Sequence, residues 1–457
     1  MSGIFKAYDI RGPFGGKEWN SDTAYAIGRH LPDVLQTKRF VLGRDCRASS
    51  ESIRDALVQG LLASGAVVDD LGLATTPMVY YHTFTGDYGA SVQITASHNP
   101  PGDNGLKISR ALAVPVGYDS GLAELEARVA SHRLPAECAG GALRRIDGLA
   151  PFVNWLKGRR RDFGGLRFAV DCSDGMASIL ARELFGDRAI LLGDRPDGAF
   201  PHHPPNPLVR ANCKALGDCV RSNGLDLGLV FDGDADRVVA VDEKGDFVQP
   251  DYLIPFLADA LPEAKKGDTV LCDIRTSRAA TERLEEHGFV PSLWKVGHAY
   301  AKRRLRELDA PLGGELAGHY YFKSFGFCDS GELAALTILE SARRAKESGL
   351  TFSQWLEPVR GRYATSGERN LAIANKQSAQ VVAETALVRM LGIPSSRLYF
   401  DGVRLDWPDG WVSVRPSNTE PWLRVILEAK DESLLQQMQA CVDSALEDYL
   451  EPHEPKA

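Results

Sequence analysis

Two short segments hold the residue types that chemistry needs. Thr95-Ala96-Ser97-His98-Asn99-Pro100 offers one hydroxyl, Ser97, on a Pro-ended turn directly after a strand-like run over 88–95. Asn99-Pro100-Pro101-Gly102 cannot continue a strand or start a helix smoothly, so Ser97 is expected on an exposed loop. Asp232-Gly233-Asp234-Ala235-Asp236-Arg237 sets three carboxylates at alternate positions between the apolar runs 225–231 and 238–241, which read as strands. Residues at i, i+2 and i+4 point to one side of an extended backbone, and three hard oxygens so close repel one another unless a cation lies among them. Mg²⁺ takes a few carboxylates together with phosphate oxygens, so a phosphate carried on Ser97 beside such a cation points to phosphoryl transfer.

A calcium loop is the competing reading, because Asp-x-Asp-x-Asp with Glu243 at the twelfth position fits much of that pattern. Arg237 stands at the sixth position, where the calcium loop needs Gly for a sharp turn, and the flanks read as strands instead of helices. The bland alternative is a solvated acidic hairpin turn with no ligand.

Further segments extend the pattern. Ala7-Tyr8-Asp9-Ile10-Arg11-Gly12 precedes the serine loop, Gly314-Glu315-Leu316-Ala317-Gly318-His319 follows the aspartates, and Arg415-Pro416-Ser417-Asn418-Thr419-Glu420-Pro421 lies near the C-terminus. Through these segments, in this order, the chain resembles the α-D-phosphohexomutase family, in particular its bacterial phosphomannomutase/phosphoglucomutase branch. The resemblance implies an isomerase that interconverts hexose 1-phosphate and hexose 6-phosphate, of mannose or glucose. Ser97 would be carried as phosphoserine, and Mg²⁺ would be held by Ser97, Asp232, Asp234 and Asp236. A hexose 1,6-bisphosphate would serve as intermediate and activator. A serine phosphate brings about −1.5 to −2 charges, which a metal against three carboxylates both holds and offsets.

The resemblance also assigns the remaining site residues. Arg11, His98, Lys107, Arg237 and His319 would surround the transferring group, with Lys107 or His319 as general base or as electrostatic support. Tyr8, Arg275, Gly297, His298 and Glu315 would contact the sugar phosphate. Arg415, Ser417, Asn418 and Thr419 would grip its far phosphate, since a guanidinium fork, hydroxyls and turn amides together make an anion cradle. Their structural reading is a polar turn before a strand. Gly297-His298 is otherwise a loop leading into a basic helix over 301–308. Two departures from the family pattern stand out: Ala317 replaces a common Ser, and Arg275 replaces a usual Lys. Alternative functions are phosphoglucosamine mutase, a Mg²⁺-dependent sugar phosphatase and a non-catalytic sugar-phosphate sensor.

The elements that must position these loops alternate. A strand over 40–43 and a helix over 50–64, with Ser49 or Ser50 as N-cap, open the first unit. A strand over 166–171 and a helix over 177–185 lead to the aspartates, and a strand over 269–274 with helices over 278–287 and 332–346 frame Glu315. The last stretch reads as a helix over 379–390, three short strands over 398–427 and a final helix over 432–449. The fold class is α/β: three tandem mixed α/β domains sharing one topology, 1–147, 148–247 and 248–362, and a smaller α+β domain, 363–457, around a central cleft. No obvious sequence repeat marks the three.

Composition is that of an ordinary globular chain, with 457 residues, 44% hydrophobic and 25% charged. A net charge of −8 gives no overall basic field for nucleic acid or an anionic membrane. Lys157-Gly158-Arg159-Arg160-Arg161 is a local cationic cluster at a helix end. The eight cysteines lack a Cys-x-x-Cys pair, and no apolar run suits a signal peptide or a membrane span. These features predict reduced thiols and a cytoplasmic protein, and the family resemblance implies small hexose phosphates as partners of a monomer or homodimer.

Overall fold

The computed structural model describes residues 3–417 and 422–450. Its strands form four sheets. In the first unit Arg39–Arg44 lies between Val67–Leu73 and Ala90–Ile94, parallel to both, and Asp103–Arg110 runs antiparallel to Ala90–Ile94. The second unit repeats this with Phe168–Asp171 between Ala189–Leu192 and Leu227–Phe231, and Val238–Asp242 antiparallel to the last. In the third, Thr269–Asp273 lies between Val290–Trp294 and Leu312–Gly314, and Tyr320–Phe322 turns back on Leu312–Gly314.

A parallel return needs a crossover, whereas an antiparallel return needs only a turn. The crossovers here are helices: Ser50–Ala63 and Thr76–Thr85, Ser178–Phe185 and Lys214–Asn223, Arg278–Glu286 and His298–Leu308. The turn from the third strand to the fourth is therefore short in every unit. Ser97, the Asp232–Asp236 trio and Glu315 sit on those three equivalent turns. The turns after the first strands open at the same sheet edge, beside them, because first and third strands are parallel neighbours.

The expected cap of the helix Ser50–Ala63 is not made: Ser49 has helical dihedrals and no capping bond. Its hydroxyl accepts from Asn104 Nδ2 at 2.8 Å, and the Ser50 hydroxyl donates to Asp45. The basic helix begins at His298, three residues before the expected start.

The fourth unit is a six-stranded antiparallel sheet, not three strands. Ala364–Thr365 and Arg369–Ala372 both add to Trp422–Ala429, and Ser396–Leu398 pairs with Val403–Trp407. These additions are too short and polar to show a two-residue apolar period. The helices Lys376–Leu391 and Glu432–Leu446 cover the sheet through Ala379, Ala383, Leu387, Leu435, Met438 and Val442. One continuous apolar cluster links the first three units, including Val41, Phe168, Phe231, Ile254, Leu312 and Leu339. The fourth unit has a core of its own. Among the described residues no helix is long and apolar enough to cross a membrane.

Candidate active site

Ser97 is buried, contrary to the expected exposed loop, at 2% of its full accessibility. Residues distant in sequence cover it. The Ser97 hydroxyl donates to Asp232 Oδ2 at 2.8 Å and accepts from Arg237 Nη2 at 3.0 Å, so the first and second units meet at this atom. Its backbone is left-handed, with φ of 52°, and its N–H donates to Thr95 Oγ1. A Cβ at Gly233 would lie 2.6 Å from the Ser97 carbonyl oxygen, so only glycine lets the two loops come this close.

Asp232, Asp234 and Asp236 are at most 1% exposed, and each has a carboxylate oxygen within 4.8 Å of the others. Lys107 Nζ donates to Asp234 Oδ2 at 2.6 Å and to Asp236 Oδ2, while Arg237 Nε donates to Asp232. Burial, followed by the neighbouring charges of Asp236 and Asp234, pushes the Asp232 carboxyl up to about 7. Burial also works to raise Asp234 and Asp236, but the Lys107 ammonium outweighs it and holds both low. Asp234 Oδ1 and Asp236 Oδ1 have no hydrogen-bond partner among the described residues. Clustered, buried and under-satisfied carboxylate oxygens are a donor set that fits Mg²⁺.

The third unit closes this centre. Arg237 and His319 form an antiparallel bridge, and Val238 N–H donates to the Gly318 carbonyl, which seats the Glu315 loop on the aspartate loop. His319 Nδ1 lies 2.9 Å from Asp329 Oδ2, and Asp329 Oδ1 lies 2.7 Å from the fully buried Lys302 Nζ. Burial lowers the His319 pKa, yet Asp236 and Asp329 overcome it and leave the imidazole raised. His98 and His298 go the other way, driven well down by burial and then by Arg237 and Lys302 respectively, so both are neutral rings. Lys107 is raised by the aspartates despite burial, which keeps it an ammonium in this arrangement.

Glu315 accepts the Gly297 N–H at 3.1 Å. Gly297 has φ of 123°, and a Cβ there would touch the Tyr8 ring at 3.1 Å, which explains glycine between Tyr8 and His298. Tyr8 meets His298 edge-on at 5.6 Å, and burial pushes its hydroxyl up to about 12. Arg11 bridges Asp9 Oδ2 and Asn99 Oδ1 at 2.6 and 3.1 Å, tying the N-terminal segment to the serine loop.

A second cationic group straddles the third and fourth units. Arg275 donates to Asp273 Oδ2 at 2.8 Å and to Glu368 Oε2 at 3.0 Å, and Arg424 lies 3.5 Å from the same carboxylate. The Arg415 pKa is pushed down by burial and then by the like charge of Arg275, with Asp401 3.9 Å away. A buried guanidinium held near other guanidiniums is stabilised by an added anion. Ser417 borders this group, its carbonyl accepting from Lys376 at 2.7 Å, and Asn418 and Thr419 lie outside the described residues.

Sequence reasoning missed Arg47, Asp329, Lys302, Glu368 and Asp401. Only Arg47 had a signal, since Asp45-Cys46-Arg47 echoes Asp273-Ile274-Arg275 at the end of an equivalent strand. Glu243 binds Ser353, away from any calcium role, and Arg159 stacks on Trp155 as part of a solvated surface.

Four family models match the chain in order: Phosphoglucomutase/phosphomannomutase alpha/beta/alpha domain I over residues 2–134, domain II over 146–245, domain III over 249–361, and the C-terminal domain over 369–445. A phosphomannomutase of Escherichia coli is 33% identical over 447 residues, covering 94% of this chain and 96% of the relative. A protein of Xanthomonas campestris pv. campestris named for phosphohexose mutases is 34% identical over 440 residues, covering 94% and 96%. The crystal structure of a phosphoglucomutase/phosphomannomutase family protein from Burkholderia thailandensis superposes with a TM-score of 0.86 at 28% identity, covering 97% of each chain.

Proposed function

The chain belongs to the phosphoglucomutase/phosphomannomutase family and is a phosphohexose mutase, and from that premise we propose that it interconverts the 1- and 6-phosphates of mannose or glucose through phospho-Ser97 and a hexose 1,6-bisphosphate. The observation that carries this reading is the Ser97 hydroxyl, buried between Asp232 and Arg237 of another unit. A serine on a turn of its own would be an ordinary surface hydroxyl. One held against a carboxylate trio and a guanidinium is placed to take and give back a phosphoryl group.

A sugar hydroxyl oxygen attacks the phosphorus on Ser97 as the bond to Oγ breaks, and the bonding pair returns to Oγ. The hydroxyl proton passes to His319 in its neutral form, which Asp329 orients from behind, and the bisphosphate is left. The reverse step from the other end of the sugar restores phospho-Ser97, so nothing is hydrolysed. Asp232, Asp234 and Asp236 would hold Mg²⁺, which offsets the charge on the transferring group. Arg237 donates to Oγ and steadies the charge that develops there. Arg415, Ser417 and Arg275 grip the phosphate that is not reacting, with Glu315 on the sugar hydroxyls. A hexose 1,6-bisphosphate also reloads Ser97 after loss of its phosphate. The eight free thiols suit a reducing compartment, the cytoplasm.

Intact-mass measurement of the purified chain, then a panel of mannose, glucose and glucosamine 1-phosphates with Mg²⁺ and catalytic glucose 1,6-bisphosphate, tests the proposal. Mannose or glucose turnover that Ser97→Ala removes is the expected result. Turnover confined to glucosamine phosphates would move the substrate class, phosphate release without isomerisation would make the chain a phosphatase, and full activity in the Ala variant would assign another nucleophile.

A further inference from the structure

The turn after the first strand braces the loop after the third in every unit. An aspartate at the strand end accepts the N–H two residues on: Asp45 from Arg47 at 3.0 Å, Asp171 from Ser173 at 2.9 Å, and Asp273 from Arg275 at 2.7 Å. From the same turns, Ser173 Oγ donates to the Phe231 carbonyl beside the metal loop, and Asp273 Oδ2 accepts the Leu316 N–H of the sugar loop.

The first unit carries this furthest. Arg47 Nη2 donates to the carbonyls of Ser97 at 2.8 Å and Asn99 at 2.7 Å, Nη1 to those of Pro100 at 2.5 Å and Asp103 at 3.1 Å, and Nε to Asp45 Oδ2 at 3.1 Å. Every N–H of the guanidinium is thereby used. Its side chain is fully buried and its face lies 5.0 Å from the Phe200 ring of the second unit. Pro100 and Pro101 supply no N–H, and the loop ties itself through the Asn99 N–H to the Ala96 carbonyl and the Asp103 N–H to the Pro100 carbonyl, so the Ser97 and Asn99 carbonyls beside the left-handed Ser97 backbone take their hold from Arg47.

We propose that Arg47 is a positioning residue that fixes where the Ser97 oxygen sits, and so governs phosphoryl transfer to and from that oxygen without taking part in sugar-phosphate binding. This rests on the assignment of Ser97 as the phosphoryl carrier. Arg47 reaches only backbone carbonyls of the loop, so its role runs through their position.

The test compares the full chain with Arg47→Lys, in which the charge remains but the fork is lost. Three readouts are kcat and KM for glucose or mannose 1-phosphate, the rate at which glucose 1,6-bisphosphate loads Ser97 by intact mass, and the thermal midpoint. The expected result is a kcat and a loading rate lowered about 100-fold with KM changed less than about 3-fold, the scale of a reacting atom misplaced by about 1 Å. A kcat within about 3-fold of the unaltered chain, or a loss expressed in KM alone, overturns the proposal. Should the Lys variant fail to fold, Asp45→Asn keeps Arg47 and loosens its aim. It is expected to lower kcat by about 10-fold at constant KM, and an unchanged kcat there is equally fatal. Failure of the underlying assignment looks different, because the unaltered chain would then take no phosphate on Ser97.

Discussion

Arg47 and Arg275 occupy the same place in the first and third units, two residues beyond the aspartate that ends the first strand, yet they spend their donors differently. Arg47 gives all of its remaining N–H groups to one loop of its own unit. Arg275 faces Glu368 in the segment that leads into the fourth unit, near Arg415 and Arg424. The first arrangement is complete without a ligand. The second gathers three guanidiniums beside Asp273, Glu368 and Asp401, and because burial and Arg275 disfavour the Arg415 cation, an added anion would improve it. One position in a repeated architecture thus serves to fix a loop in one copy and to face the cleft in another.

The largest effect is expected from removing Arg275. Arg275→Ala leaves Asp273, 2% exposed, with a buried charge that its partner no longer offsets, at a cost of about 3–5 kcal/mol in stability. It also strips the cleft of a cation, so kcat/KM for hexose 1-phosphates is expected to drop about 100-fold, chiefly through KM. Arg275→Lys, which restores the residue common in the family, should recover most of the KM. Steady-state kinetics decide the matter: a fall in kcat at constant KM would make Arg275 a second Arg47 and erase the contrast.

Much of this architecture is legible in the chain because it is local. Apolar runs and turn residues locate part of the first three units, including the strands near 40–43, 166–171 and 269–274 and the helices near 50–64, 177–185 and 278–287, and the Asp232–Asp236 spacing points to a carboxylate cluster that could hold a cation. What is not legible is what closes over what. Ser97 reads as exposed because its neighbours are turn residues, while the groups that bury it, Asp232 and Arg237, lie in another unit. The partners of Arg47 are backbone carbonyls about 50 residues away, which leave no mark in residue types, so its one signal is the Asp-x-Arg echo of Asp273-Ile274-Arg275. The Lys302–Asp329–His319 chain combines three elements and has no local spacing at all.

A smaller effect should come from Glu368, which holds Arg275 and lies near Arg424 but is itself 21% exposed on its side chain. If Glu368 competes with substrate phosphate for these cations, Glu368→Gln lowers KM by a few fold, about 1 kcal/mol or less for a partly solvated pair. The same change loosens the tie to the fourth unit, whose other links to the third include Arg404 Nη1 to the Ile274 and Thr276 carbonyls, Arg278 N–H to Glu428, and the Trp294–Phe400 ring contact at 5.6 Å. Protease cutting within 360–367 should then quicken without ligand and slow when sugar phosphate is added. A raised KM would show that Glu368 aims Arg275 and does not compete for it.

The smallest effect on turnover concerns the acid that supports the third turn from behind. Asp251 is fully buried, accepts the Ser277 N–H at 2.7 Å through Oδ2, and has no hydrogen-bond partner for Oδ1 among the described residues. Burial, with Glu428 and Asp273 adding to it, pushes its carboxyl up to about 7, against about 3.9 in an unfolded chain. Between those values the folded protein keeps a proton that the unfolded chain releases, so this group makes stability fall as pH rises, by up to about 1.4 kcal/mol per pH unit. Asp251→Asn removes that dependence. In urea unfolding at pH 5 and pH 7.5, the variant should gain on the unaltered chain by about 2–3 kcal/mol between the two conditions. An offset that does not change with pH would mean that Asp251 is already charged, and that the third turn tolerates one more buried anion than its neighbours can balance.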